Sequence, residues 1–183
     1  MRSRELPSSK HASLTKVITV AAIALIALLM AAAFLFSGEI GYLVLSNPKT
    51  GDVYHRYLVL RGDEFSIGFI HSVNQSPLTD YYEIRDEGIY VVKTVYFGFG
   101  AGVQTQIEEG QTLTYGDDGS MVVTGFNTLI PDLIYFVGTV SDHTLTLHDK
   151  QISLRDLCGR NAMVRFSIAP LFETSPKGQK GNE

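Results

Sequence analysis

The chain has 183 residues, 45% of them hydrophobic, and a formal net charge of −4 at pH 7. This length indicates a single domain with appendages, and the apolar content is sufficient for a hydrophobic core. Eleven basic and eighteen acidic residues follow the apolar N-terminal segment, and the resulting formal charge of −7 argues against a nucleic-acid partner, because phosphate binding requires an excess of Lys and Arg.

The first predicted element is a membrane segment at residues 17–36, VITVAAIALIALLMAAAFLF, in which Thr19 is the one polar side chain. Twenty residues at helical rise cross the hydrocarbon core of a bilayer. Basic residues cluster before this segment: Arg2, Arg4, Lys10 and Lys16. The next basic residue along the chain is Lys49. The positive-inside rule then predicts that residues 1–16 are cytoplasmic and that residues 37–170 form the extracytoplasmic domain of a single-pass cell-membrane protein.

A cleaved signal peptide is the alternative interpretation of the same segment. Residues 17–30 have the length of a signal-peptide apolar region, and residues 31–33 are three alanines that suit a cleavage site. The apolar run continues through Phe36, which favours a retained anchor by the length criterion for membrane spans. With cleavage the domain would be secreted, whereas with retention it would stay attached to the membrane.

Residues 37–170 have the pattern of an all-β domain. From Tyr42 to Ile168, apolar residues recur at every second position in short runs, and Gly, Asn, Asp or Pro separates the runs. This alternation is typical of an antiparallel β-sandwich or a barrel-like domain. The stretch ISLRDLCG, which ends at Gly159, is predicted to form a helical turn or two. Residues 171–183 have few apolar side chains and are predicted to be a flexible tail.

One predicted hairpin, FSIGFIHSVNQSPLTDYYEI, carries the first candidate site. If residues 74–77 form a four-residue loop, the strands pair His71 with Asp80 and Phe69 with Tyr82. Because side chains alternate between the two faces of a strand, all four then lie on one largely apolar face. A histidine and a carboxylate are therefore predicted to meet at the end of an apolar stripe.

Two interpretations of this pair stay open. In the functional one, Asp80 orients and charges His71, an arrangement that general bases and metal-ligating imidazoles use. In the structural one, the two residues only satisfy each other as a buried polar pair near a turn. Ser72 points to the opposite face from His71, so that histidine cannot easily activate it as a nucleophile. A register shift of one residue would abolish the pair.

A glycine-rich loop, YFGFGAGVQT, carries the second candidate site, with Gly98, Gly100 and Gly102 at alternate positions. The spacing G-x-G-x-G differs from the dinucleotide-binding pattern, and no clear helix follows that would receive a pyrophosphate. In one interpretation, backbone N–H groups of this loop hold a carboxylate or another anion, or allow a partner to approach closely. In the other, the glycines form a bulge or a corner of the sheet.

Metal binding and covalent catalysis have little support in the sequence. Cys158 is the single cysteine, and His55, His143 and His148 lack the spacing of a metal site. His143 and His148 flank the predicted strand TLTL near turns, where solvated histidines are common. We therefore expect no cofactor, no metal and no enzymatic activity, with a hydrolase that uses His71 as its base as the least favoured alternative.

The motif HSVNQSPLTDYY, followed by YFGFGAG, resembles those of a bacterial family, the domain of unknown function numbered eighteen-fifty. In that family His-Ser-Val, an apolar residue after Pro, an acid and an aromatic residue recur before a Gly-Ala-Gly element. The resemblance covers residues 65–168, and the matching positions are His71, Ser72, Val73, Pro77, Asp80, Tyr82, Gly100, Ala101 and Gly102. It implies a small exported protein that accompanies tripartite, solute-binding-protein-dependent (TRAP) transporters of the TAXI type, with the permease or the solute-binding protein as partner. It implies no activity.

These observations give three hypotheses for the extracytoplasmic domain. The first is an accessory or interaction module of a TRAP-type (TAXI) solute transport system. The second is a protein that binds a small anion or organic acid, in which His71, Asp80 and the loop amides meet the anionic group. The third is the hydrolase. The candidate residues for ligand or partner binding are the same in the first two hypotheses: His71, Ser72, Asp80, Tyr82, Gly98, Gly100 and Gly102.

Overall fold

The computed structural model describes residues 9–36, 38–72, 75–98 and 107–171. The chain divides into two compact units, and the boundary falls between Gly38 and Glu39. Among the described residues, the first unit contains one long helix and the second contains all of the strands.

The first unit contains helix α1, Ser9–Phe36. Within it, Thr15–Ala33 is a 19-residue segment with a mean hydropathy of 2.4, long and apolar enough to cross a membrane. The Thr19 hydroxyl donates a hydrogen bond to the Thr15 carbonyl at 2.9 Å, so this polar side chain is satisfied inside the helix. The predicted apolar helix is therefore present, and its length and composition suit either a membrane anchor or a signal sequence.

The second unit, called the β domain below, is built from antiparallel strands. Within the described residues there are eleven: β1 (Ile40–Ser46), β2 (Val53–Leu60), β3 (Glu64–Ile70), β4 (Pro77–Arg85), β5 (Gly88–Tyr96), β6 (Thr112–Tyr115), β7 (Met121–Leu129), β8 (Leu133–Phe136), β9 (His143–Leu147), β10 (Lys150–Ser153) and β11 (Met163–Pro170). One sheet has four strands in the order β2-β1-β11-β8, and the other has seven in the order β10-β9-β3-β4-β5-β7-β6. The predicted all-β, antiparallel fold is confirmed, and two separate sheets make it a sandwich.

Alternation of apolar and polar residues gives each sheet one face toward the shared core. Leu43 and Leu45 of β1 are fully buried, as is Ile67 of β3 in the opposite sheet. Between the sheets, the Phe65 ring of β3 stacks on the Phe166 ring of β11 with centroids 5.9 Å apart. Burial of each such side chain contributes roughly 1.5–3 kcal/mol, so this core supplies much of the free energy that holds the two sheets together.

The seven-stranded sheet carries a second, smaller apolar cluster further along its inner face. Its members come from β3 to β7, and none of the described residues of the four-stranded sheet belongs to it. The buried members are Leu78, Tyr96, Met121 and Val123, and the side chains packed against them are Phe69, Leu113 and Phe126. The seven-stranded sheet therefore extends past the part of the core that the two sheets share.

The helical turn predicted at ISLRDLCG is helix α2, Leu154–Cys158. Ser153 caps its start, because the Ser153 side chain accepts a hydrogen bond from the Asp156 N–H. The helix ends at Gly159, whose φ of 91° lies in the region that favours glycine. The predicted tail, residues 171–183, lies outside the described residues apart from its first residue.

Candidate functional site

The hairpin formed by β3 and β4 has a different register from the predicted one. The observed pairs are Phe65 with Tyr82, Ile67 with Asp80, Phe69 with Leu78 and Ile70 with Pro77. The predicted pairing of His71 with Asp80 was therefore wrong. Beyond the Ile70–Pro77 pair, the His71 N–H donates to the Ser76 carbonyl at 2.9 Å and the His71 carbonyl accepts from the Gln75 N–H at 2.9 Å. These bonds close the loop at His71 and Ser76, so it begins two residues earlier along the chain than predicted.

The faces of the hairpin agree with the prediction even though the register does not. The partner of Asp80 is shifted by four residues along β3, and an even shift keeps Asp80 and Tyr82 on the inner face. His71 lies just beyond the end of β3, with its ring centroid 6.4 Å from that of Phe69. The side chains of His71 and Asp80 thus share a face without being cross-strand partners.

The remaining candidate residues occupy different environments. Ser72 is exposed in the loop after β3, whereas Tyr82 is buried in the core between the sheets. Gly98 is half-buried just after β5. Gly100 and Gly102 lie outside the described residues, so the glycine-loop hypothesis stays a prediction.

Asp80 has its carboxyl group bound by two hydroxyl groups. Thr94 Oγ1, on the neighbouring strand β5, donates to Oδ1 at 2.8 Å, and the Tyr135 hydroxyl, on β8 of the other sheet, donates to Oδ2 at 2.9 Å. Burial raises the pKa of Asp80, and the two hydrogen bonds oppose that rise because they stabilise the carboxylate. None of the ion pairs among the described residues includes Asp80.

Tyr82 and Tyr135 extend this network into the core. Their hydroxyl oxygens are 2.7 Å apart. Since Tyr135 gives its proton to Asp80, its oxygen accepts the proton of Tyr82. Burial, and then the nearby Asp80 carboxylate, raise the pKa of both phenols. Both tyrosines are therefore neutral donors at physiological pH, and the chain of hydroxyls points toward Asp80.

His143 is buried beside this network, and the prediction that it is solvated was wrong. It lies opposite Phe69 in the β3–β9 pair, and the two rings stack with centroids 4.7 Å apart. The Gly138 N–H donates to His143 Nδ1 at 3.4 Å, a long hydrogen bond. Burial lowers the pKa of His143, although the adjacent Asp142 opposes the change. His148, at the other end of β9, is exposed and contacts Asp63, as the turn position indicates.

A cavity of about 810 Å³, called the sheet cavity below, opens over this part of the seven-stranded sheet. Apolar and aromatic side chains form much of its lining: Phe69, Leu78, Tyr96, Val123 and Phe126. The polar side chains that contact it include Asp80, Thr94 and His143, with His71 and Ser72 where the hairpin loop begins. The cavity therefore lies where the second apolar cluster meets the Asp80 network.

The segment between β8 and β9, residues 137–142, forms one wall of the sheet cavity. Asp142 ties this wall to α2, because it accepts hydrogen bonds from Ser153 Oγ at 2.5 Å and from the Arg155 N–H at 3.0 Å. Burial acts to raise the pKa of Asp142, but these hydrogen bonds and that of the His143 N–H hold it below its usual range. The Arg155 guanidinium also donates to the Val140 carbonyl at 3.0 Å. The wall is thus fixed by charge-assisted hydrogen bonds.

A bulge in β7 directs Phe126 toward the sheet cavity. Met121 and Val123 face the second apolar cluster, and strict alternation would place Gly125 beside them and Phe126 on the other face. Gly125 instead has a φ of 85°, and the pairing of β7 with β5 shifts at this point. A Cβ atom on Gly125 would overlap the Gly110 carbonyl oxygen. The glycine conformation therefore reverses the alternation and brings Phe126 into the cavity lining.

The described lining of the sheet cavity has no permanent positive charge. Neither Lys nor Arg is among the described residues that line it. In the described ranges, no group of three or more His, Cys, Asp or Glu side chains could hold a metal ion. Burial raises the pKa of the Cys158 thiol to about 11, which makes this cysteine a poor nucleophile at neutral pH. The described lining residues therefore offer a ligand hydrogen bonds, one acid and aromatic contacts.

Three residues of this site were not identified from the sequence. His143 could have been, because it alternates with the buried Leu145 and Leu147 of its strand. Thr94 required the β4–β5 register, in which it pairs directly with Asp80. Tyr135 is 55 residues from Asp80 in a different sheet, and no pattern within either strand links them.

Residues 65–154 match the family model described as Domain of unknown function (DUF1850). The match runs from β3 to the start of α2 and so includes the hairpin, Asp80, Tyr135 and His143. The match supports membership of that family, and it is the same family that the sequence motifs resemble. No curated protein and no solved structure matches the chain.

Proposed function

We propose that the β domain is a binding module for a small molecule, attached to the outer surface of a membrane, and that the sheet cavity holds the solute. The observation that carries this proposal is the cavity: about 810 Å³, with a largely apolar lining and a few convergent polar groups. Small-molecule sites in proteins have this size and this composition.

The polar groups of the sheet cavity are held in place before any ligand binds. Thr94 and Tyr135 fix the carboxyl of Asp80 from two different sheets. His143 is stacked on Phe69 and meets the Tyr135 ring edge-on, with centroids 5.7 Å apart. Groups that are already ordered lose little conformational entropy on binding, so such an arrangement favours recognition.

Binding is better supported than hydrolysis. A hydrolase needs an activated nucleophile or a metal-bound water. Ser72 is exposed beside the cavity, and Asp80 pairs with Ile67 across the strands, so the carboxyl does not orient His71 as a base. The Asp80 oxygens are instead engaged by hydroxyl groups, which suits the recognition of a ligand.

We propose further that this module is an accessory of a TRAP-type (TAXI) solute transport system. The support is the likeness of its motifs to the family that accompanies such transporters, together with helix α1, which suits a membrane anchor. A solute-binding cavity on a membrane-attached domain is what such an accessory would need. Val140, 93% exposed in the cavity wall, is a candidate contact for the permease or the solute-binding protein.

The binding proposal can be tested with tryptophan reporters, because the chain contains no Trp. Phe126→Trp places a fluorophore in the lining of the sheet cavity, and Tyr115→Trp places one at a position that is 70% exposed and outside the lining. Each full-length variant, in lipid nanodiscs, is titrated with a panel of amines, alcohols, sugars and organic acids. We expect at least one solute to change the emission of the Phe126→Trp variant saturably and to leave the Tyr115→Trp variant unchanged. Equal responses in both variants, or none in either, would contradict the proposal.

The accessory role can be tested by crosslinking in the native membrane. A photo-crosslinking amino acid at Val140 should capture a transporter subunit, whereas the same group at Thr50, an exposed turn position away from the cavity lining, should not. Capture of the subunit at neither position, or equally at both, would argue against docking through the cavity wall.

The proposed orientation is tested separately with protease. Protease added to intact spheroplasts or protoplasts should cleave the β domain and spare the residues before α1, because the basic residues precede the apolar segment. A β domain that is protected in intact cells would contradict the external location.

A further inference from the structure

We propose that the solute of the sheet cavity is an organic cation: a small molecule with an apolar body and a protonated amine that pairs with Asp80. This inference rests on the proposed binding function and adds the charge and the chemical class of the ligand. Three features of the described residues support this inference: Asp80 has no cationic partner among them, the cavity lining contains no Lys or Arg, and the lining includes aromatic side chains.

Asp80 is an acid that lines the cavity without a cationic partner among the described residues. Its hydrogen-bond donors, Thr94 and Tyr135, are neutral hydroxyls, and each binds a different carboxylate oxygen. A carboxylate has about four acceptor positions, so roughly two are left for a ligand. A buried carboxylate is costly unless it is paired, and the ammonium group of a ligand would supply the missing charge together with three N–H donors.

Among the described lining residues, no side chain is a permanent cation that could pair with an anion. No Lys or Arg occurs among the described lining residues, and segments 73–74 and 99–106, outside the described residues, contain none either. Burial lowers the pKa of His143, so this imidazole is neutral at pH 7. An organic acid would therefore place its carboxylate near Asp80, which repels it. The formal charge of −7 on the chain after α1 also attracts cations at longer range.

The lining favours a ligand with a flat apolar body. Phe69, Tyr96 and Phe126 contribute aromatic rings, and Leu78 and Val123 contribute aliphatic surface. Aromatic faces attract cations as well as apolar groups, so an arylalkylamine or a similar amine satisfies both parts of the cavity. A strongly hydrated cation without an apolar body would leave this surface unused.

Three probes that share one body test the charge of the ligand: 2-phenylethylamine, 2-phenylethanol and phenylacetate carry a cationic, a neutral and an anionic head group. Isothermal titration calorimetry measures their affinity for the full-length protein in zwitterionic nanodiscs, with empty nanodiscs as the blank. We expect the amine to bind roughly tenfold to a hundredfold more tightly than the alcohol, as a charge-assisted hydrogen bond predicts. Phenylacetate should bind most weakly.

Two variants assign the preference to Asp80. In Asp80→Asn the amine should bind no more tightly than the alcohol, and unchanged alcohol affinity would show that the cavity is intact. Asp86→Asn, the matched control, removes an exposed acid that contacts Arg61 outside the cavity and should keep the amine preference. A second measurement needs no variant: the amine affinity of the parent protein should fall as the pH is lowered and Asp80 takes up a proton. His71 and His143 also line the cavity and are present in Asp80→Asn, so the contribution of Asp80 is the part of this fall in affinity that Asp80→Asn lacks.

The outcomes separate this inference from the proposed function. Equal or tighter binding of the alcohol or of phenylacetate, or an amine preference that persists in Asp80→Asn, would overturn the cation assignment while the cavity still binds solutes. Failure of all three probes, with the Phe126→Trp reporter responding to another class of solute, would likewise overturn the cation assignment alone. If none of the three probes binds and neither Trp variant responds to any solute, both the cation assignment and the proposed solute binding are overturned.

Discussion

The Tyr135 hydroxyl donates a hydrogen bond of 2.9 Å to Asp80 Oδ2 and so joins an edge strand of the four-stranded sheet to the inner face of the seven-stranded sheet. Tyr82 binds the same hydroxyl at 2.7 Å. The acid of the proposed site is therefore positioned by both sheets. Changes at this junction affect stability and recognition together.

Tyr135→Phe should destabilise the β domain by about 1–3 kcal/mol, because it leaves the buried Tyr82 hydroxyl without its acceptor and removes one donor from Asp80. Tyr115→Phe, at an exposed position, is the matched control and should change stability by less than about 0.5 kcal/mol. Urea unfolding of the full chain in detergent, followed by near-ultraviolet circular dichroism, measures both. Equal stability of the two variants would show that the Tyr135 network contributes nothing.

Asp80→Asn should change how the stability of the protein depends on pH. Burial raises the folded-state pKa of Asp80, so the folded protein holds this proton more strongly than the unfolded chain. Stability is therefore lost as the pH rises through the folded pKa, and that loss is absent below the ordinary value of 3.8. An Asn side chain has one acceptor oxygen for the two hydroxyl donors, so Asp80→Asn also loses a hydrogen bond at every pH. The melting temperature of Asp80→Asn minus that of the parent should therefore be highest at pH 7 and should fall on acidification.

The comparison of Asp80→Asn with its parent separates Asp80 from the other groups at the site. The buried His143 and the nearby His71 are present in both proteins, so what they contribute to both cancels in the difference, and Tyr82 and Tyr135 stay neutral throughout. Asp86→Asn, which removes an exposed acid outside the cavity, is the control and should show no such fall. A difference, variant minus parent, that rises on acidification would contradict the assigned direction of the pKa shift.

Gly125→Ala should be more destabilising than Gly119→Ala. Both glycines have positive φ, 85° and 82°, so both substitutions strain the backbone. A Cβ atom at Gly119 meets no atom within 4 Å, whereas one at Gly125 overlaps the Gly110 carbonyl. We expect a cost above about 1 kcal/mol for Gly119→Ala and a clearly larger one for Gly125→Ala, measured by thermal unfolding. Similar costs would mean that the close approach of Gly110 is not needed to form the bulge that positions Phe126.

His71 and Asp80 should behave as independent residues in stability measurements. The residue opposite Asp80 is Ile67, four positions before His71, which is about 13 Å of extended chain. A double-mutant cycle with His71→Ala and Asp80→Asn should therefore give an interaction energy below about 0.5 kcal/mol. A value of about 1 kcal/mol or more would show that the two side chains interact after all.

The sequence predicts the sheets of this domain better than its site. Alternation of apolar residues is a local property, so the strands, the inner face of Asp80 and the helical turn at Leu154–Cys158 could be read from short segments. The register of the β3–β4 hairpin could not be predicted in this way, because the register depends on where the loop closes. The hydrogen bond from the His71 N–H to the Ser76 carbonyl closes the loop earlier along the chain than predicted. Because the register differs from the prediction by an even number of residues, each side chain stays on its predicted face of the sheet although its cross-strand partner changes.

The partners of Asp80 depend on still longer-range order. Thr94 meets Asp80 only through the β4–β5 register, and Tyr135 only through the stacking of two sheets. Phe126 reaches the cavity because Gly125 reverses the alternation of β7, so a strict period of two places it on the wrong face. Local patterns contain none of this information, whereas His143 was recoverable from its alternation with Leu145 and Leu147.

The central claim is that the sheet cavity binds a small solute, and a residue-resolved methyl NMR titration of the full chain in nanodiscs tests it most directly. Leu78 and Val123 line the cavity, Leu43 and Val164 are buried in the core, and Leu58 is exposed on β2. Addition of a solute that the Phe126→Trp reporter detects should shift the methyl signals of Leu78 and Val123 saturably and leave the other three unchanged. Shifts confined to Leu58, or spread evenly over all five residues, would contradict the claim.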